Sequence, residues 1–396
     1  MTLRTIKETN VKDKRVLVRG DFNVPLDGNG NIADDFRLRQ SVPTIEYLIR
    51  NNAKVILMSH LGDPGGRVVE SLRLTPVQAR LENLLNLKIK KADDCLGRKV
   101  EKMVGGLKAG EVLLLENLRF HREEKENNPE FAKSLAGLAD IYVNDAFGSC
   151  HRSHSSIVGV PEFLPSFAGF LLEKEIEALS KVLNNPEKPL VVIIGGAKVS
   201  TKAKVIKYFL EKADHLLIGG KVANAILTVK GICVGRPWPE EEAVKDIEKI
   251  NLTATNFHLP IDALISPTKE GDLYIREDAP GRVRTDELIL DIGPETIKMF
   301  SKIISLAKTI FWAGPLGFFE QPRFENGTKL IAEAITRNRQ AFKITGGGDT
   351  VAALDKFNLK ERFDHISTGG GAMLDFLSGK KLPGIEILKI TANSKK

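Results

Sequence analysis

The sequence predicts an α/β protein made of two Rossmann-like domains, each a doubly wound parallel sheet in three α/β/α layers, joined by an interdomain helix. Three observations lead there. The 396 residues exceed what one hydrophobic core commonly supports. Short apolar runs alternate with amphipathic helical stretches, the pattern of a parallel sheet covered on both faces. The alternation pauses once, at a charged helix, and then restarts.

In the first half, residues 15–19 (RVLVR), 54–59 (KVILMS), 111–116 (EVLLLE) and 141–143 read as strands. Helical spacing covers 35–51 through Leu38, Ile45, Leu48 and Ile49, and a further helix is expected over 129–139. Thr75-Pro76 reads as a helix start, with Thr75 as the cap and Pro76 in the first position. LLEKEIEALSKVLNN, starting at Leu171 and followed by Pro186 and Pro189, reads as the interdomain helix. In the second half, strands are expected at 190–194 (LVVII), 215–218, 288–291, 309–312 and 342–345, with a helix over 201–212. The expected domains are 1–168, a hinge at 169–185, and 186–383, with the tail 384–396 packing back on the first domain.

Composition narrows the class. Apolar residues make up 42% and charged residues 28%, which is globular rather than disordered or fibrous. No apolar run approaches the roughly 20 residues of a membrane helix. The polar first ten residues lack the apolar core of a signal peptide, so the expected location is the cytoplasm. Cys95, Cys150 and Cys233 are far apart and without metal-ligand spacing, as reduced thiols would be. The net charge of +7 is spread along the chain and aromatics are only 6%, so no nucleic-acid partner is expected. Small anionic substrates account for the charge equally well.

Ligands of doubly wound sheets bind beyond the carboxyl ends of the strands. In the second half three glycine clusters stand there: Gly195-Gly196, Gly346-Gly347-Gly348 and Gly369-Gly370-Gly371. A strand, a glycine turn and a helix N-terminus present free N–H groups and partial positive charge, an anion site. The alternative at each cluster is a plain tight turn. Neither the P-loop nor the G-x-G-x-x-G pattern is met. Asp349 follows the second cluster, where a carboxylate suits a phosphate-bridging Mg²⁺ or simply a helix cap. Lys198 and Lys202 flank the first cluster one helical turn apart, and Glu320 follows a glycine-containing turn.

In the first half basic and polar residues follow the strands. They are Asp21 and Asn23, His60, Arg119, and Arg152 with His154, while Arg37 opens the helix after Asp34-Asp35. Each alone reads as ordinary surface polarity; together they could hold a small acid carrying phosphate and carboxylate. No Ser–His–Asp, Cys–His or zinc-ligand pattern accompanies them.

VLVRGDFNVP, MSHLGDPGG, ENLRFHREE, NDAFGSCHRSHSS, GGAKVSTK, LDIGPET, AGPLGFFE, GGGDT and HISTGGGA follow one another along essentially the whole chain. This series resembles the phosphoglycerate kinase family. The resemblance implies reversible Mg²⁺-dependent phosphoryl transfer from 1,3-bisphosphoglycerate to ADP, giving 3-phosphoglycerate and ATP in glycolysis, by a monomer that closes about a hinge. It assigns substrate binding to Asp21, Asn23, Arg37, His60, Arg119, Arg152 and His154. Nucleotide binding falls to Lys198, Lys202, Gly219, Gly220, Gly293, Glu320, Gly347, Gly348, Asp349 and Thr350. By the same resemblance Asp349 would be the Mg²⁺-linked aspartate, directly or through water. Arg37, Lys198, Gly369, Gly370 and Gly371 would stabilise the transferring phosphoryl group. Four positions depart from the family pattern: Asp63 for the arginine of H-L-G-R-P, Gly20 for a usual valine, Lys221 for a third glycine and Ala313 for asparagine. They leave open a second reading, a weakened paralogue that binds nucleotide or other anions without efficient turnover.

Overall fold

The computed structural model describes residues 3–389, and the chain divides into two compact units, Met1–Glu177 with Lys381–Lys396, and Ala178–Lys380. The division falls inside the helix Phe170–Leu183, not at either end of it.

The first unit holds six parallel strands: β1 (Arg15–Gly20), β2 (Lys54–Met58), β3 (Lys90–Lys91), β4 (Val112–Leu114), β5 (Ile141–Asp145) and β6 (Ser166–Ala168). They lie in the order β3-β4-β2-β1-β5-β6. Alternate side chains enter different cores. Val16, Val18, Val55 and Leu57 join one apolar cluster, Leu17, Ile56, Met58 and Tyr142 the other. That two-sided burial is why these strands read as continuous apolar runs. The sequence walks outward from β1 on one side and then returns with β5 on the other, so the switch point lies between β1 and β5, paired from Val16↔Ile141 to Gly20↔Asp145.

The second unit repeats the plan with β7 (Leu190–Ile194), β8 (His215–Ile218), β9 (Phe257–His258), β13 (Thr309–Ala313), β14 (Phe342–Gly346) and β15 (His365–Ser367), ordered β15-β14-β13-β7-β8-β9. Its switch point is between β7 and β13. Between β9 and β13 the chain forms a three-stranded antiparallel sheet from β10 (Ala263–Ser266), β11 (Arg276–Asp278) and β12 (Leu288–Ile292). Of this sheet, the sequence predicts only the strand at 288–291.

Two local expectations need correction or a boundary. Thr75 is no cap: the helix runs Thr75–Leu85 with Leu74 at the N-cap and no side-chain cap bond. Pro76 keeps its place in the first turn, where its missing N–H costs nothing. Of the tail, Gly384 N donates to Cys150 O at 3.0 Å and Lys389 pairs with Leu3, both within the first unit. Residues 390–396 lie outside the described residues.

Candidate active site

The carboxyl ends of β1, β2, β4 and β5 gather the residues picked out in the first half. Asp21 lies 3.6 Å from Arg37, which also donates to Asn23 O at 2.7 Å. Asn23 Oδ1 accepts from Gly62 N at 2.8 Å, and Gly62 O accepts from Arg119 at 2.7 Å. Asn117 supports this loop from below: its amide donates to Leu61 O and Leu72 O, and its Oδ1 accepts from Arg119 N. All seven predicted residues belong to one cluster, with His60 and Arg119 feeling the charge of Arg152, and His154 that of Arg119 and Arg152.

Three members escaped the sequence reading. Arg19, 1% exposed, donates to Ser156 Oγ at 2.9 Å, to Gly20 O, and to His60 Nδ1 at 3.0 Å. Fully buried Glu124 accepts from Ser156 N and Ser156 Oγ. Ser156 thus ties Arg19 to Glu124. The available signal was an arginine inside the apolar run RVLVR, which has to find partners once buried.

The charges set the protonation states. His60 is held well below the usual imidazole range, first by burial and then by Arg19, Arg119, Arg152 and Arg37. An arginine can only donate, so His60 Nδ1 accepts and the ring proton sits on Nε2. Burial, then Arg119 and Arg152, push His154 down to about 4. Burial raises Glu124, opposed first by Arg19. Arg119 is lowered, first by burial and then by Arg152, while Asp63 acts the other way. Arg119 Nε is buried with no protein partner. A buried donor left so is costly, and an anion would satisfy it.

In the second unit a cleft of about 630 Å³ opens at the strand ends, lined among others by Lys198, Gly220, Glu320 and Asp349. Its floor is backbone packed on backbone. Gly196 N donates to Pro315 O at 2.7 Å and Gly195 N to Ala313 O at 3.0 Å. A Cβ on Gly314, at φ +98°, would stand 2.2 Å from Gly195 O. So this approach across the switch point demands glycine. Thr350 Oγ1 accepts from Gly314 N at 2.7 Å. That bond ties the first turn of the helix Gly348–Lys356 to this floor.

The other predicted residues divide in two groups. Gly347, at φ +96°, caps the helix Gly348–Lys356, and a Cβ on Gly348 or Gly370 would meet nothing within 4 Å, leaving both open to a ligand. Gly369 N donates to Ser367 Oγ at 3.1 Å, and Gly371 opens a short helix to Leu377. By contrast, Gly219 makes room for Leu316, and Gly293 for the Asp262 carboxylate that caps the helix Pro294–Leu306. Like Gly347, Gly348, Gly369, Gly370 and Gly371, neither is among the residues lining the cleft. Lys202 does not share the exposed position of Lys198: it is 8% exposed, reaches Ala313 O at 3.4 Å, and burial lowers it to about 8 against the charge of Asp349. The sequence reading missed the apolar wall of the cleft, Ala223, Leu227, Leu288 and Leu290, and the exposed Trp238.

The departures sit in different local settings. Asp63 is exposed and paired with Lys125 at 3.0 Å. A Cβ on Gly20 would stand 2.4 Å from the Phe22 ring, which occupies that space. Ala313 is fully buried, and Lys221 is exposed on the cleft.

Comparison with known proteins is decisive on kinship. The family model described as phosphoglycerate kinase matches residues 6–380. The phosphoglycerate kinase of Dictyoglomus turgidum is 49% identical over 98% of both chains, and that of Moorella thermoacetica 48% over 98% of this chain and 99% of its own. The solved phosphoglycerate kinase of Coxiella burnetii superposes with a TM-score of 0.86 at 39% identity, covering 98% of this chain and 99% of that one.

Proposed function

We propose residue roles on the premise that this chain belongs to the phosphoglycerate kinase family, phosphotransferases that act on a carboxyl group. Nothing in the comparisons favours the weakened paralogue.

In this reading the cluster of Arg19, Arg37, Arg119 and Arg152 binds the phosphate and carboxylate of phosphoglycerate. The observation that carries it is the buried, unpartnered Arg119 Nε among guanidinium groups that outnumber the carboxylates Asp21 and Glu124. Neutral His60 donates from Nε2. The acceptor carboxylate ionises near pH 4, about the usual carboxyl value, so no general base is needed at neutral pH. The depressed histidines agree with that, since neither holds a proton to exchange at pH 7 beyond its ring N–H.

The second unit takes ADP or ATP, with the base against the apolar wall and the phosphates toward Lys198 and the N-terminus of the helix Gly348–Lys356. Asp349, an exposed oxygen donor on that first turn, suits a hard cation shared with phosphates, and would hold Mg²⁺. The chemistry supplied there would be charge neutralisation at the phosphates. Arg37, Lys198 and the amides of Gly369, Gly370 and Gly371 would stabilise the moving phosphoryl group. Transfer requires the substrates to meet, and the helix Phe170–Leu183, which runs from one unit into the next, is our proposed hinge. We also propose a cytoplasmic monomer; among the described residues no helix is long and apolar enough to cross a membrane.

The test is a coupled assay with 3-phosphoglycerate and Mg·ATP, reading NADH oxidation through glyceraldehyde-3-phosphate dehydrogenase. Turnover that requires Mg²⁺ supports the roles. Folded, nucleotide-binding protein without turnover would overturn them.

A further inference from the structure

Away from both sites, the first unit brings together three different metal-binding groups. The Asp94 carboxylate, the Cys95 thiol and the His121 imidazole have their ligand atoms all within 4.8 Å of one another. Asp94 and Cys95 follow β3, before the helix Arg98–Gly105. His121 sits between the turns Leu118–Phe120 and Arg122–Glu124. Sequence spacing alone would not pair them.

The geometry is held from several directions. Asp94 Oδ1 accepts from Cys95 N at 2.7 Å and lies 2.7 Å from His121 Nε2. Asp94 O accepts from Glu116 N at 3.3 Å, which ties the loop to the end of β4. The His121 ring packs on Phe131, with centroids 5.5 Å apart. Cys95 is fully buried, whereas the side chains of Asp94 and His121 are 53% and 31% exposed. The trio therefore has a buried sulfur at its base and two ligands open to arriving ions.

We propose that Asp94, Cys95 and His121 form a binding site for a borderline divalent ion, of the class of Zn²⁺ or Co²⁺, distinct from the nucleotide's Mg²⁺. Sulfur, nitrogen and oxygen donors together select such ions over Mg²⁺ and Ca²⁺, which take oxygen. Ligand distances of about 2.0–2.3 Å to a shared ion need only small movements from the present separations. His121 turns its Nε2 from the carboxylate to the ion, and the Cys95 thiol gives its proton to water as sulfur bonds the metal. Three protein ligands leave a fourth position for water. The bound ion would fasten the 118–124 segment, which also carries Arg119, to the loop after β3.

Co²⁺ titration of the full, chelator-treated chain tests this by its spectrum, independently of turnover. One equivalent is expected to give a sulfur-to-cobalt charge-transfer band and the intense visible bands of a four-coordinate ion, both bleached by Zn²⁺. His121→Gln and Asp94→Asn, on partly exposed side chains, are each expected to weaken binding by at least about a hundredfold, the upper end of the loss when only an outer-shell partner is removed. Cys95→Ala should abolish the charge-transfer band, and Cys233→Ser should leave it. No such band with excess Co²⁺, or a band that survives in His121→Gln at unchanged affinity, would overturn the site even if Cys95→Ala fails to fold.

Discussion

In the proposed function the two units solve the same problem, holding an anion at the carboxyl ends of parallel strands, with different materials. The first uses side chains: guanidinium groups, of which Arg19 and Arg119 are buried and Arg37 and Arg152 reach solvent, and imidazoles, set by Glu124, Ser156 and Asn117. The second uses backbone: glycines that let β7 and β13 loops touch, and helix N-termini that present N–H groups. A side-chain site concentrates charge and can titrate. Backbone N–H groups do not titrate, although Lys198, Lys202 and Asp349 beside them can, and any Cβ at the wrong place closes the floor.

The largest break in that contrast should come from removing one guanidinium. Arg37→Ala is expected to lower kcat/KM on the order of 10³-fold, the scale of losing a charged transition-state contact, with ADP affinity unchanged by calorimetry. Equal loss of ADP affinity would erase the division of labour. Next, Gly314→Ala forces a Cβ to 2.2 Å from Gly195 O. It should cost about 2–4 kcal/mol in urea unfolding and weaken ADP while sparing phosphoglycerate. A mutant with wild-type ADP affinity would show that the floor tolerates a side chain.

Acid should affect the first unit's network. His154 lies at about 4 against an ordinary 6.5, so the unfolded chain takes up its proton first as pH falls. Its share of stability is complete above the ordinary value and is lost on descending from there toward about 4. His154→Gln should therefore flatten the decline of unfolding free energy over that window, and an unchanged slope would remove His154 from the account. The smallest effect is expected at Asp63. Its ion pair with Lys125 is exposed, and such pairs contribute about 0–1 kcal/mol. Asp63→Arg should change KM for 3-phosphoglycerate by less than about fivefold, the factor equivalent to that energy. A gain of orders of magnitude would instead mean that Asp63 impairs the site.

Much of this was readable in the chain. LVVII predicts β7 because a strand buried on both faces needs no polar alternation. The helix beginning at Leu171 was legible from its charged, amphipathic stretch, and its observed bounds are Phe170–Leu183. The strands Ala263–Ser266 and Arg276–Asp278 were not legible: they are short, and RED carries no apolar pattern. Thr75 looked like a cap, yet Leu74 holds that position because it is buried in the core while Thr75 is exposed.

By itself, the order of residues determined the alternating elements, the kinship, and the points where strands end in glycine or in basic residues, since these depend on neighbours along the chain. Only the tertiary structure decided that Arg19 and Glu124 are buried in the arginine cluster, that Lys202 faces a carbonyl while Lys198 faces the cleft, that Gly293 serves Asp262, and that Asp94, Cys95 and His121 meet. The reason is physical. Burial and desolvation come from segments far apart in sequence, and they decide whether a charge is a surface ornament or part of a site.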